Sequence, residues 1–124
     1  MSSQYIRNYT AEAALTKRRA AKFGAADGGV LQGAAATDLL IGITTEIDAA
    51  SGERCDVIRS GPAEAEAGAA FARGAKLTSD AQGRLIAAAP AAGSNAQIVA
   101  IADAAALAAG DVVPVLVAPS VMQG

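Results

Sequence analysis

The sequence predicts a mainly β protein, with a small β-barrel or β-sandwich-like body, one or two short helices and an extended N-terminal arm. The chain has 124 residues, a length that suits one compact domain. Its 13 Gly and 4 Pro interrupt it too often for helices of ordinary length, although 34 residues are Ala. The segments between these breaks are short and contain most of the Val and Ile, as is typical of strands.

The predicted strands are bounded by turn residues. They cover residues 30–31, 39–45, 54–60, 84–88, 97–102 and 112–117. Residues 62–67 alternate Ala with Glu64 and Glu66, and this period of two places both glutamates on one strand face. The pair is interpreted either as a two-carboxylate site or as a solvated face. We favour the solvated face, because the sequence supplies no further ligand beside them.

Turn residues predict one hairpin and one helix. Asp80 and Gly83 suit a tight turn, because the carboxylate can accept from the backbone ahead and glycine tolerates a positive φ. This turn joins strands at residues 76–78 and 84–86. Asp103 is placed as an N-cap and Gly110 just past a helix end, so residues 103–109 are predicted to form a short helix.

The two halves of the chain resemble each other when they are shifted by 58 residues. Each half has a strand, a connector of small residues, a Gly followed by an acidic residue, and a second strand. The shift aligns Ile41 with Val99, Ile43 with Ile101, Gly52 with Gly110 and Val57 with Val115. The repeat predicts two similar lobes of one β barrel.

Composition argues against an enzyme. The chain has no His, which excludes Ser-His-Asp and Cys-His arrangements and zinc sites that use histidine. Its single Cys55 cannot form an intrachain disulfide and is interpreted as a small apolar residue within a strand. No nucleotide-binding or hydrolase motif is present. We therefore expect no catalytic residue, no cofactor and no metal. No apolar run is long enough for a signal peptide or a membrane span, so we expect no membrane partner.

Charge separates the N-terminal segment from the rest. Residues 1–24 contain five basic residues and one acidic residue, whereas residues 25–124 contain five basic and eleven acidic residues. We divide the chain into an arm, residues 1–16, and a single β-rich domain, residues 17–124. This basic segment has three interpretations. It could bind nucleic acid, it could bind an acidic protein surface such as another copy of the body, or it could simply be a solvated terminus. Direct nucleic-acid binding is disfavoured, because the chain is acidic overall and has few aromatic residues to stack on bases.

Few large apolar side chains are available for a core. Val, Ile, Leu and Phe together supply 26 of the 124 residues. Their burial must offset a backbone ordering cost of about 1–2 kcal/mol per residue, so an isolated subunit is expected to be marginal. We expect the protein to associate with copies of itself or with partners.

The order of segments resembles the small capsid decoration, or cement, proteins of tailed bacteriophages. The resemblance covers residues 17–119. It rests on the run KFGAADGGVLQGAAATDLLIGITTEIDAASGERCDVIRSGPAEAEAG, then FARGAKLTSDAQGRLIAAA, then IVAIADAAALAAGDVVPVLVAP. Family members often have Gly-Asp-Pro before the Leu-Thr pair, where this chain has Gly74, Ala75 and Lys76.

The resemblance implies a virion protein without enzymatic activity. Such proteins bind the outer surface of the mature head, contact the major capsid protein, bridge neighbouring capsomers against the pressure of packaged DNA, and assemble commonly as trimers. A homotrimer is thus expected, with a dimer as the other option. Two alternatives remain: a small β-barrel binding or accessory module of a cellular complex, which would use the glutamates and isolated arginines, and a carboxylate enzyme.

Both tyrosines of the chain lie in the arm, beside an arginine, and Tyr and Arg are the residue types that most often anchor interfaces. We expect the arm to provide much of the attachment to the capsid, and deletion of residues 1–10 to abolish attachment while the body stays folded. The residues expected to bind the capsid are Gln4, Tyr5, Ile6, Arg7, Asn8, Tyr9, Arg18 and Arg19.

Overall fold

A computed structural model describes residues 4–124. These residues form nine β-strands and contain no helix. The strands are β1 (Tyr5–Ala11), β2 (Ala20–Phe23), β3 (Gly29–Gln32), β4 (Leu40–Thr44), β5 (Arg54–Glu66), β6 (Lys76–Ser79), β7 (Leu85–Ala87), β8 (Asn95–Ala102) and β9 (Val112–Gln123). The mainly β class is confirmed, and the predicted short helices are wrong.

The strand order is β1-β3-β2-β4-β5-β9-β8-β6-β7, with a further pairing between β1 and β5. That pairing closes β1, β3, β2, β4 and residues 54–60 of β5 into a five-stranded barrel, here called the N-lobe. Residues 61–66 of β5 continue into a second group with β9, β8, β6 and β7, here called the C-lobe. A parallel bridge between Ala67 and Leu85 returns β7 to the end of β5.

The internal repeat is confirmed by the strand pairings, but the two halves are not lobes of one barrel, because the pairing of β1 with β5 closes the N-lobe by itself. β4 pairs with β5 through Ile43 and Ile58, and β8 pairs with β9 through Ile101 and Leu116, at a constant shift of 58 residues. Gly52 donates its N–H to the Ala11 carbonyl at 2.7 Å, and the equivalent glycine, Gly110, donates to Ala67 at 2.8 Å. The two lobes are therefore built on one plan, with β1–β5 repeated as the second half of β5 followed by β6–β9.

The cores of the lobes also correspond. The N-lobe interior is a separate cluster made of Tyr9, Ala11, Leu15, Ala21, Val30, Ile41, Ala49, Cys55 and Val57. The equivalent positions in the C-lobe are Ala65, Ala67, Phe71, Leu77, Leu85, Val99, Ala106, Val113 and Val115, which all belong to the second cluster. That second cluster also contains Ala20, Leu40, Ile43 and Ile58 from the outer face of the N-lobe. The outer face of the N-lobe thus seals the interior of the C-lobe.

Residues 103–109 show why the helix prediction failed. Ala106 exchanges both backbone hydrogen bonds with Phe71, at 3.0 and 3.1 Å. The N–H groups of Leu107 and Ala108 donate to Oδ2 of Asp111, at 2.9 and 3.2 Å. The backbone of this segment is therefore committed to a bridge and a turn. Asp103 donates its N–H to the Pro114 carbonyl and continues the sheet contact, so it does not begin a helix.

Other predicted elements are present. The 76–78 and 84–86 hairpin is confirmed as β6 and β7, and Oδ1 of Asp80 accepts from the N–H groups of Gln82 and Arg84 at 2.8 and 2.9 Å. The alternation of residues 62–67 is confirmed, since Ala63, Ala65 and Ala67 are buried. Residues 54–60 and 62–66 form one long strand, β5, which Gly61 continues with a φ of 93°.

Candidate attachment surface

The residues predicted to bind the capsid at positions 4–9 lie in or beside strand β1. β1 pairs antiparallel with β5, from Tyr5 opposite Ser60 to Thr10 opposite Arg54, and parallel with β3 at its C-terminal end. These pairings make β1 one wall of the N-lobe barrel. Deletion of residues 1–10 would therefore remove a wall of the barrel, so point substitutions are the suitable test of this segment.

The two tyrosines have different environments. Tyr9 is 6% exposed and belongs to the N-lobe core, whereas Tyr5 is 54% exposed. The register between β1 and β5 shifts between Tyr5 and Ile6, where Arg59 is the extra residue on β5. A bulge of this kind bends the strand and re-aims its side chains. Only Tyr5 offers its ring to a partner.

One end of the N-lobe barrel carries two arginines on two aromatic rings. The guanidinium of Arg59 donates from Nη1 to the Tyr9 hydroxyl at 2.6 Å and from Nε to the Ile41 carbonyl at 2.9 Å. The same guanidinium lies 5.6 Å from the centre of the Phe23 ring. Arg7 lies 5.4 Å from the centre of the Tyr9 ring. Both distances suit cation–π attraction.

A loop beside this end of the barrel is built around Glu12. The carboxylate accepts from the N–H groups of Ala25 and Ala26, at 2.8 and 2.9 Å. These backbone hydrogen bonds, that of Ala26 first, hold the pKa of Glu12 below its usual value. Gly24 and Gly29 lie so close to the carboxylate that a Cβ on either would fall within 2.5 Å of it. Glu12 thus fixes residues 24–29 next to Arg7, Tyr9 and Phe23, and a shallow cavity of about 390 Å³ lies between them.

Arg18 and Arg19 lie away from this cluster and contact the body of the same chain. Arg19 contacts Glu66 through Nη2 at 3.2 Å, and it donates from Nη1 to the Gln82 carbonyl at 3.1 Å. Arg18 lies 3.8 Å from Glu64 and 3.7 Å from Glu46. The two alternating glutamates of β5 are thus partners of the two adjacent arginines.

Lys22 is also paired within the chain, with Asp38 at 3.1 Å. Burial alone would raise the pKa of Asp38. The N–H of Ala34 and the ammonium of Lys22 outweigh that effect, so the pKa lies below its usual value. The positive charge noted in residues 1–24 is therefore largely matched by acidic residues of the body, whereas Arg7, the basic residue of β1, is exposed.

A groove of about 470 Å³ separates the start of β1 from the C-lobe. Gln4 crosses one end of it and donates from Nε2 to the Pro62 carbonyl at 2.5 Å. Ile6 contributes an apolar wall and is 45% exposed, and Arg18 lines the opposite side. The groove brings Gln4, Ile6 and Arg18 together, while Arg19 and Asn8 do not line it.

Sequence reasoning missed Phe23 and Arg59. Neither lies in the predicted arm, and both reach the same end of the barrel only because β2 and β5 close around β1. The repeat contained a signal for Arg59. At the shift of 58 residues it aligns with Val117, so a charged residue stands where the second lobe has a buried apolar one.

Within residues 4–124, no three Cys, Asp or Glu side chains group closely enough to hold a metal ion. A helix of the length and hydrophobicity needed to cross a membrane is also absent from this part of the chain.

Comparison with known proteins identifies the family. A family model described as phage cement protein matches residues 2–117. A search of curated proteins found no match. Among solved structures, the fold is similar to that of the head fiber gp8.5 N base in bacteriophage phi29, with a TM-score of 0.68. That similarity covers 93% of this chain and 94% of the other at 15% sequence identity. The predicted resemblance is confirmed, and the chain belongs to the phage cement protein family, a family of phage structural proteins.

Proposed function

We propose that this protein binds the outer surface of the mature phage head, contacts the major capsid protein and bridges neighbouring capsomers, so that the shell resists internal DNA pressure. In this proposal it is not an enzyme, needs no cofactor, and acts as a homotrimer or a dimer. Its membership of the phage cement family supports a role at the phage head. A symmetric oligomer that engages several capsid sites at once gains avidity from weak individual contacts.

Attachment is proposed to occur through the exposed part of β1 and the groove beside it. The observation that carries this proposal is the exposure of Tyr5 and Ile6, which is 54% and 45%. Tyr5 lies on the same face of β1 as Arg7, and Ile6 lies on the opposite face, where it lines the groove. Exposed aromatic and arginine side chains at an apolar patch are typical anchors of protein interfaces. Gln4 and Asn8 supply polar groups at its rim, and Tyr9 holds β1 in place from the N-lobe core. Arg18 lines the groove, whereas Arg19 is paired with Glu66 and is not part of this surface.

Co-sedimentation with phage heads tests this proposal. The wild-type protein is expected to sediment with mature, expanded heads and to remain in solution with immature heads, because the binding sites between capsomers form on maturation. A Tyr5→Ala and Ile6→Asp double variant should lose most of this binding. Leu107→Ala is the matched control, because Leu107 is 85% exposed, lies in the loop before β9 and does not line the groove.

Two results would contradict the proposal. One is no binding of the wild-type protein to heads at either stage. The other is normal binding by the double variant, which would show that another surface carries attachment. Circular dichroism of both variants checks that the β fold is retained.

A further inference from the structure

The contact between the two lobes is made by a row of side chains that the repeat duplicates. On the outer face of the N-lobe, register places Ile6, Ile58, Ile43 and Ala20 side by side across four strands. Ile58, Ile43 and Ala20 of this row are buried against the C-lobe. The equivalent row on the outer face of the C-lobe consists of Pro62, Leu116, Ile101 and Lys76.

In the C-lobe the duplicated row faces outward. Leu116 is 47% exposed, whereas its N-lobe equivalent, Ile58, is 6% exposed. Pro62 and Lys76 are also exposed, and Ile101 is half-buried. An apolar row on an open sheet face is a favourable place for association, because its burial removes apolar area from water. The exposed row of the C-lobe is thus the repeat equivalent of the row by which the N-lobe packs against the C-lobe.

The complementary surface is also present and open. The C-lobe contacts the N-lobe through its β6–β7 turn, where the Gln82 carbonyl accepts from Arg19 and Gln32, and the Gly83 carbonyl accepts from the N–H of Ala20. The equivalent turn of the N-lobe is the loop between β2 and β3, residues 24–28, with Phe23 beside it. Phe23 is 47% exposed and this loop is exposed from Ala25 to Gly28.

We infer that copies of this chain associate head to tail, with the end of one N-lobe, Phe23 and residues 24–28, seated on the Pro62–Leu116–Ile101–Lys76 row of the next copy. The interface repeats the packing between lobes inside one chain. Charge complementarity supports it. Within one chain, Ala20 contacts the β6–β7 turn. The repeat equivalent of Ala20 is Lys76, and the equivalent of the turn is the β2–β3 loop, with Asp27 at its tip. In the proposed interface, Lys76 of one copy therefore lies near Asp27 of the next. Lys76 and Asp27 are both exposed and carry opposite charges.

Such an interface is heterologous, because different surfaces of the two copies meet. A heterologous contact produces a closed ring if its rotation closes. The inference deepens the self-association part of the proposed function. Its test is made in solution without capsids, so that failure of self-association and failure of head binding are measured separately.

The first test is the mass of the full-length protein over a range of concentrations, by sedimentation velocity. Leu116→Lys should weaken association at least about tenfold, since it places a charge at the centre of the interface. Leu107→Lys adds the same charge outside the row and should assemble as the wild type does. Equal thermal melting of both variants shows that folding is not the cause.

The second test exchanges the charges of Asp27 and Lys76. Asp27→Lys and Lys76→Asp each place like charges together and should weaken association severalfold, while the double variant restores the pair and should regain assembly. Three results would overturn the inference: a wild-type protein that stays monomeric at every concentration, a Leu116→Lys variant that assembles normally, or a charge-exchanged double variant that is weaker than both single variants.

Discussion

Arg59 and Tyr9 hold each other across the end of the N-lobe barrel, with Nη1 of the arginine 2.6 Å from the tyrosine hydroxyl. Arg59 comes from the bulge of β5 and Tyr9 from β1, 50 residues earlier in the chain. The tyrosine ring belongs to the core, while the arginine also stacks on Phe23 near the surface. The pair therefore connects core packing to the surface that we propose for association.

Tyr9→Phe should destabilise the protein by about 1–2 kcal/mol, because it removes a hydrogen bond from a charged donor while preserving the packing of the ring. Urea denaturation measures the change in the free energy of unfolding. Tyr5→Phe is the control, since the Tyr5 ring is mostly exposed and its variant should match the wild type. Equal stability of Tyr9→Phe and wild type would show that solvent replaces the bond without loss.

Glu12→Gln should lower the free energy of unfolding at neutral pH. It should also make that free energy less dependent on pH in the acidic range. The folded-state pKa of Glu12 is held below the usual value of 4.5 by the N–H groups of Ala26 and Ala25. A carboxyl with a lowered folded pKa contributes stability above its unfolded pKa, and that contribution is lost as the pH falls through the folded pKa. Unfolding curves between pH 7 and about pH 3 should therefore converge for variant and wild type.

Asp27→Asn is the control for this pH dependence, because Asp27 lies in the same loop and is exposed. Since Asp27 also belongs to the surface proposed for self-association, all proteins are compared at a concentration at which they are monomeric. It should follow the wild-type curve. A Glu12→Gln variant whose stability runs parallel to wild type at all pH values would show that the carboxylate does not hold the loop.

Arg18 adopts a φ of 59°, the left-handed region, where its repeat equivalent is Gly74 with a φ of 88°. A non-glycine residue in this region costs about 1–2 kcal/mol. Arg18→Gly and Arg18→Ala both remove the contacts to Glu46 and Glu64, which are exposed and add little stability. Arg18→Gly should therefore be about 1 kcal/mol more stable than Arg18→Ala. Thermal unfolding of the two variants compares them directly, and a less stable glycine variant would refute the expectation.

Cys55 should react slowly with thiol reagents. The side chain is 3% exposed, and burial, together with the nearby Asp56 charge, raises the pKa of its thiol. Because the thiolate is the nucleophile, both effects slow its reaction at neutral pH. The reaction of Cys55 with a chromogenic disulfide reagent, followed by absorbance, should be slow for the folded protein in buffer and immediate in denaturant. Rapid reaction of the folded protein would show that the N-lobe opens.

Cys55→Val tests the correspondence of the two cores. Cys55 is equivalent to Val113, which is buried in the C-lobe at the same position of the repeat. The change conserves an apolar side chain of similar size and should alter the free energy of unfolding by less than about 1.5 kcal/mol. Cys55→Asp, which buries a charge at the same position, should prevent stable folding. Chemical denaturation with both variants measures the difference.

Much of the fold was determined by the sequence through local rules. Three features could be inferred from the single sequence, because they depend only on neighbouring residues or on a repeat period. They are the turn at Asp80 and Gly83, the alternation of residues 62–67, and the repeat that aligns Ile41 with Val99. Residues 103–109 misled this reasoning because their alanines favour a helix locally. Hydrogen bonds to Phe71 and Asp111, which lie outside the segment or at its end, outweigh that preference.

The candidate surface could not be predicted in full, because it depends on contacts between residues that are distant in the sequence. Sequence patterns were enough to show that Tyr5, Ile6 and Arg7 lie near the N-terminus and that the chain has two similar halves. Three features required the folded chain: β1 closes a barrel, Arg18 and Arg19 pair with Glu64 and Glu66, and the row of Ile58 is covered while the row of Leu116 is open. The two rows occupy equivalent positions of the repeat, so sequence pattern does not distinguish them, whereas their burial depends on which lobe packs against the other.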